Sequence, residues 1–159
     1  GDEVWCPQRF VFDRTLKTFK AETIPQIYTD AYAPKTTVLC ADTASDCLKT
    51  RAEDLNVMLW QLPEAKGHLD WQAFRKRCAK AKIYGIYVEV GPTLATQVIE
   101  GGLADYLFIY QAPKLLSDAS APGIGSLRNS QSMREVFAFR NLRHATFDGD
   151  RLIRGFLTK

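Results

Sequence analysis

Glu89 closes the apolar run Ile83 to Val88, and Gly91, Pro92 and Thr93 follow it directly. A carboxylate there can accept hydrogen bonds from a ligand or exchange a proton with it. Gly91 lets a ligand come close to the backbone. Pro92 suits the first position of a helix, where its missing N–H costs nothing. The amides of Thr93, Leu94 and Ala95 then point outward at the positive end of the helix dipole, and the Thr93 hydroxyl adds a donor. That geometry binds phosphate. An ordinary strand-to-helix turn with a solvated glutamate is the competing reading, and these residues alone leave both open. The spacing is neither the six-residue dinucleotide fingerprint nor a P-loop.

The elements that must hold this turn are read from apolar periodicity. Residues 8–13, QRFVFD, form a strand candidate ending in Asp13, and 35–41, KTTVLCA, form a second. A helix is expected from Ser45 to about Asp54, with Ser45 as cap and Cys47, Leu48 and Leu55 facing inward. NVMLWQL, 56–62, reads as a third strand, followed by a connecting turn, PEAKGH. Asp70 is placed to cap a helix on which Trp71, Phe74, Cys78 and Ala81 line one face. Arg75, Lys76, Arg77 and Lys80 fall mostly on the other, as a solvated face rather than a phosphate patch.

KIYGIYV (82–88) and YLFIYQA (106–112) are continuous apolar runs, the pattern of strands buried on both faces in parallel sheets. Between them Leu94, Ala95, Val98 and Ile99 make one side of a short helix that stops at Gly101-Gly102. Strand, helix and strand at this spacing read as a βαβ unit. A polar loop is expected over 117–132. Asp148-Gly149 then signals a hairpin turn between two apolar stretches. The sum is an α/β chain with an antiparallel end, and no repeats.

The chain has 159 residues, 46% of them hydrophobic, which suits one domain with one core. A net charge of +3 favours an anionic ligand slightly. It is far from the basic surface of a nucleic-acid binder, so no nucleic-acid partner is expected. No apolar stretch has the length of a membrane span, and the N-terminal residues do not read as a signal peptide, so no membrane partner and a cytoplasmic location are expected. Cys6, Cys40, Cys47 and Cys78 include no CxxC pair, which points to reduced thiols and no metal site.

Residues 88–116, VEVGPTLATQVIEGGLADYLFIYQAPKLL, resemble the VEGGPTLAxxFLxAGLVDELxLYIAPKLLG signature of one family. This is the reductase domain of the bifunctional riboflavin-biosynthesis deaminase/reductases. RFVFDRTLKT (9–18) is similar to its RVVLDRxLRT, and DGDRLIRGFL to its closing segment. The resemblance implies a three-layer, dihydrofolate-reductase-like α/β fold, its mixed sheet mostly parallel with a C-terminal antiparallel hairpin. It implies reduction of 5-amino-6-(5-phosphoribosylamino)uracil by NADPH, and self-association as a homodimer. By matched position, Glu89 contacts the phosphorylated pyrimidine substrate and no residue is assigned as catalytic. Gly91, Pro92, Thr93, Leu94, Ala95, Thr96 and Gln97 match the segment around the NADPH phosphates. Arg14 matches a cofactor-contacting position where the family often carries Ser or Arg, and an arginine favours the 2′-phosphate.

Two departures stand out. Val90 occupies a position where the family has Gly or Ala. The family's first strand, its SLDG loop and its GxxTVxxDDP segment have no counterpart here, and neither does the zinc-binding deaminase domain. Residues 1–159 therefore read as a single domain, the C-terminal part of the reductase, and the chain alone is expected to be inactive. Zinc is expected only in that other domain. A non-catalytic dimerisation or nucleotide-sensing module, and a reductase of another substrate on the same scaffold, are the alternatives.

Overall fold

A computed structural model describes residues 5–118, 120, 121, 123 and 136–158. The chain divides into two compact units, Gly1–Ile86 and Tyr87–Lys159.

In the first unit, strands β1 (Arg9–Phe12), β2 (Thr36–Ala41) and β3 (Met58–Leu62) form a parallel sheet in the order β1-β2-β3. The central strand β2 is buried along its whole length. Alternation explains how: Val38 and Cys40 enter one apolar cluster, Leu39 and Ala41 the other. Helix α1 (Asp46–Asp54) and the loop residues Leu16, Phe19 and Tyr28 serve the first cluster through Ala52 and their own side chains. Helix α2 (Trp71–Lys80) serves the second, with Phe74 and Cys78 fully covered. Helix, sheet and helix thus give this unit three layers.

Asp70 caps α2 as expected, its carboxylate accepting from the amides of Gln72 at 2.7 Å and Ala73 at 3.3 Å. The inward face is Trp71, Phe74 and Cys78. Ala81 lies beyond the last turn and is exposed, because the helix stops at Lys80. Arg77, expected on the solvated face, is instead half-buried against β3, where it lies over the Trp60 ring at 4.7 Å and donates to the Gln61 carbonyl.

Helix α1 departs further from expectation. Ser45 sits at the N-cap without a side-chain cap bond, and Cys47 and Leu55 are exposed. Leu48 and Ala52, four residues apart, meet the core instead. Leu55 falls past the helix end, where the 3.6-residue period no longer governs its direction. The turn expected at 63–68 contains a small hairpin, β4 (Glu64–Ala65) against β5 (His68–Leu69).

Arg9 ties the start of β1 to the loop before β2. Its guanidinium donates to both Asp30 carboxylate oxygens at 2.8 Å and to the Ile27 carbonyl at 3.0 Å. Hydrogen bonding from Arg9 holds the Asp30 carboxyl below its ordinary value. A carboxylate with a depressed folded pKa stabilises fully above its unfolded value, about 4. That stability is lost as pH falls through the folded value. The melting temperature of the native chain is therefore expected to fall more steeply below pH 4 than that of Asp30→Asn. Parallel melting curves would show that Asp30 contributes nothing.

The second unit begins with the Ile83–Val88 stretch's last residues and holds α3 (Pro92–Glu100), β6 (Tyr106–Gln111), β7 (Ala138–Phe147) and β8 (Asp150–Thr158). Helix α3 closes as Gly101-Gly102 suggests. Gly102 is left-handed at φ 64°, its amide reaches Ile99 O, and Leu103 N reaches Val98 O at 2.9 Å. Strands β7 and β8 form the expected hairpin, with Asp148 and Gly149 both at positive φ. A bulge between Arg140 and Arg143 interrupts their ladder.

The βαβ reading of 82–112 is corrected. Strand β6 pairs antiparallel with β8, and residues 83–90 join no ladder among the described residues. Tyr84 and Tyr87 are 85% and 63% exposed, so this run is not the buried strand its composition suggests. Apolar β-formers fix a preference for extended, covered chain, while a ladder also needs a partner that local sequence does not name. The loop expected at 117–132 lies mostly outside the described residues.

Candidate functional site

Gly91 is the N-cap of α3 at φ −71° and ψ 172°, and Pro92 occupies the first helical position. The first amides of a helix lack intrahelical acceptors. Here the count ends earlier than expected: Ala95 N–H donates to Gly91 O at 3.0 Å and so closes the first turn. The outward donors are therefore Thr93 and Leu94, and Ala95 is removed from the set of free amides. The Thr96 hydroxyl turns back to the Pro92 carbonyl at 2.8 Å, and Gln97 O accepts from Gly101. Thr93 is exposed, while Leu94, Ala95, Thr96 and Gln97 are half-buried.

Gly91 has no conformational need to be glycine, since its φ is open to any residue. It has no packing need among the described residues either, because an added Cβ meets none of them within 4 Å. Among the described residues, space stands open beside two helix amides without a partner, and a phosphate group fits that description. Glu89 and Val90, just before it, are both exposed. These residues all belong to the second unit.

Arg14 belongs to the first unit, beyond the carboxyl end of β1. Its Nη1 donates to Glu64 Oε1 at 2.7 Å, and the Thr43 hydroxyl donates to Glu64 Oε2 at 2.8 Å. Arg14, and then Thr43, hold the Glu64 carboxyl below its ordinary value. Neither Thr43 nor Glu64 was singled out by the sequence. The signal for them was positional, since both follow the carboxyl ends of parallel strands, where α/β sheets bind ligands. Asp13 braces the same loop by accepting from the Lys17 and Thr18 amides, each at 2.7 Å, and from the Thr18 hydroxyl. A cavity of about 400 Å³ beside the β7 bulge, lined by Tyr106, Asn141, Leu142, Arg143 and Phe156, includes none of the expected site residues.

This architecture has solved counterparts. A structure titled Acinetobacter baumannii RibD, form 1, matches with a TM-score of 0.69 at 22% identity, covering 96% of this chain and 38% of that one. A pyrimidine reductase-like protein from Corynebacterium diphtheriae matches with a TM-score of 0.66 at 16% identity, over 96% of this chain and 62% of that one. The fold is thus the three-layer, dihydrofolate-reductase-like α/β class, with a parallel sheet in the first unit and a C-terminal antiparallel hairpin in the second.

Residues 5–152 match the RibD C-terminal domain family, and the chain belongs to it. The riboflavin biosynthesis protein RibD of Escherichia coli (strain K12) is 42% identical over 85 residues, 52% of this chain and 23% of that protein. The chain spans less than half the length of either RibD relative. At the level of family, membership links it to riboflavin biosynthesis.

Proposed function

We propose that this chain is the C-terminal part of an NADPH-dependent reductase of 5-amino-6-(5-phosphoribosylamino)uracil, within a bifunctional deaminase/reductase. The open α3 N-terminus at Gly91, inside a chain of the RibD C-terminal domain family, is the observation that carries this reading. NADPH, when bound, supplies the hydride that reaches C1′ of the ribosylamino group and leaves a ribityl chain. The protein's part is positioning. The Thr93 and Leu94 amides would hold a cofactor phosphate, with Gly91 leaving room for it. Arg14 would meet the adenosine end of the cofactor. Glu89 would orient the pyrimidine substrate by accepting its hydrogen bonds. The same reading has the protein self-associate as a homodimer.

The test is substrate-dependent loss of NADPH absorbance with the protein that carries this chain. No consumption with the pyrimidine present would sink the reading. Glu89→Gln in that protein is expected to lower turnover by about tenfold or more, the scale of one lost charge-assisted hydrogen bond. NADPH affinity should change by less than about twofold, because the cofactor contacts lie on the helix amides. An equal loss in affinity and rate would put Glu89 in the cofactor cradle instead.

A further inference from the structure

The parallel strands β1, β2 and β3 end on one edge of their sheet, and each loop delivers a polar side chain at the second residue beyond its strand: Arg14, Thr43 and Glu64. The three are joined, with Glu64 using one carboxylate oxygen for Arg14 and the other for Thr43. Their backbones are pinned as well. Ala41 N reaches Arg14 O at 2.9 Å, Asp42 N reaches Leu62 O at 3.1 Å, and Glu64 pairs with Leu69 in the hairpin. The Arg14 and Glu64 side chains remain 47% and 26% exposed, so a ligand can reach both.

In doubly wound dinucleotide-binding sheets, an acidic side chain past a strand end accepts from the ribose 2′-hydroxyl of NADH, and an arginine accommodates the 2′-phosphate of NADPH; the same chemistry applies wherever such a pair meets the ribose. This chain presents both, held together. Resting on the reductase reading above, we propose that Glu64 is a specificity-determining residue that tempers the preference for NADPH and admits NADH. Arg14 commits Nη1 to Glu64, and among the described residues nothing takes its Nε/Nη2 edge, which is left for a phosphate. The Glu64 carboxylate repels that phosphate and offers an acceptor to a hydroxyl in its place. Thr43 fixes the carboxylate's orientation.

The experiment is calorimetric titration of the protein that carries this chain with NADP⁺ and with NAD⁺, in native, Glu64→Gln, Glu64→Asp and Arg14→Gln forms. Glu64→Gln is expected to raise the ratio of NAD⁺ to NADP⁺ dissociation constants by about tenfold, as the repulsion goes and the charged acceptor weakens. Glu64→Asp keeps the charge and should hold the ratio within about twofold. Arg14→Gln should lower it. An unchanged or reduced ratio in Glu64→Gln overturns the proposal and leaves the reductase reading standing. So does an equal shift in Glu64→Asp, which would trace the effect to hairpin geometry. Failure of the native protein to bind either dinucleotide overturns both. Melting curves of each variant accompany the titrations, and a site-specific role requires the ratio to move without a matching loss of stability.

Discussion

Phe74→Ala is expected to cost the first unit about 3–5 kcal/mol, the usual loss for a large aromatic removed from a packed core. Phe74 is 1% exposed and stands where four other rings converge. Its ring lies edge-on to Phe10 at 5.4 Å, Phe12 at 5.1 Å and Trp71 at 5.8 Å, with Trp60 at 6.5 Å. Those partners come from β1, β3 and α2, so the one side chain fastens α2 to a face of the parallel sheet. Truncation removes the apolar contact and leaves a void that rigid neighbouring rings cannot easily fill. Phe74→Leu keeps most of the volume but forfeits the edge-to-face contacts, and a smaller loss is expected. Denaturant unfolding of the native chain and both variants reads the difference. A loss under about 1 kcal/mol for Phe74→Ala would mean that α2 is held by something other than this cluster.

The parts of the fold legible in the sequence were those written in short range. Asp70 preceding a run with Phe74 and Cys78 four apart specifies a capped helix and its buried face. Asp148-Gly149 demands two positive φ angles, and these close the β7–β8 hairpin. Gly91-Pro92 announces the start of α3 in the same local way. Most of the departures share one cause, a dependence on groups far away in the chain. Ile83–Val88 carries every mark of a strand, yet the strand that would pair with it is not specified within the run itself. Strand β6 likewise took an antiparallel partner about forty residues onward, where a βαβ reading had put a parallel one behind it. The Arg14–Glu64 pair spans 50 residues, and only the parallel register of three strands brings it together. In α1 the cap position was legible and the inward face was not. Leu48 and Ala52 are no more apolar than Cys47 and Leu55, and the sheet they meet decides among them. One error was purely local: Ala95 is the first residue after the unpaired amides, a consequence of Gly91 being the cap.

Gly91→Val is expected to weaken NADPH binding by about 100-fold in the protein that carries this chain, while leaving it folded. The magnitude follows from the donors at stake. Hydrogen bonds to charged groups contribute roughly 1.5–3 kcal/mol each, so losing the phosphate contacts proposed for Thr93 and Leu94 would remove about 3 kcal/mol or more. Stability should change far less. Gly91 already has extended backbone angles that valine adopts readily, and its Cβ direction is open. The remaining cost is that of a poorer N-cap, about 0.5–1 kcal/mol. Gly91→Ala adds one methyl where valine adds three carbons, and should fall between the native protein and Gly91→Val in affinity. A thermal melt beside a calorimetric titration with NADPH separates the two effects. A folded Gly91→Val protein that binds NADPH normally would mean that no phosphate sits at the α3 N-terminus. The residues from Glu89 to Thr93 would then be an ordinary turn into a helix, and the cofactor would have to be held elsewhere.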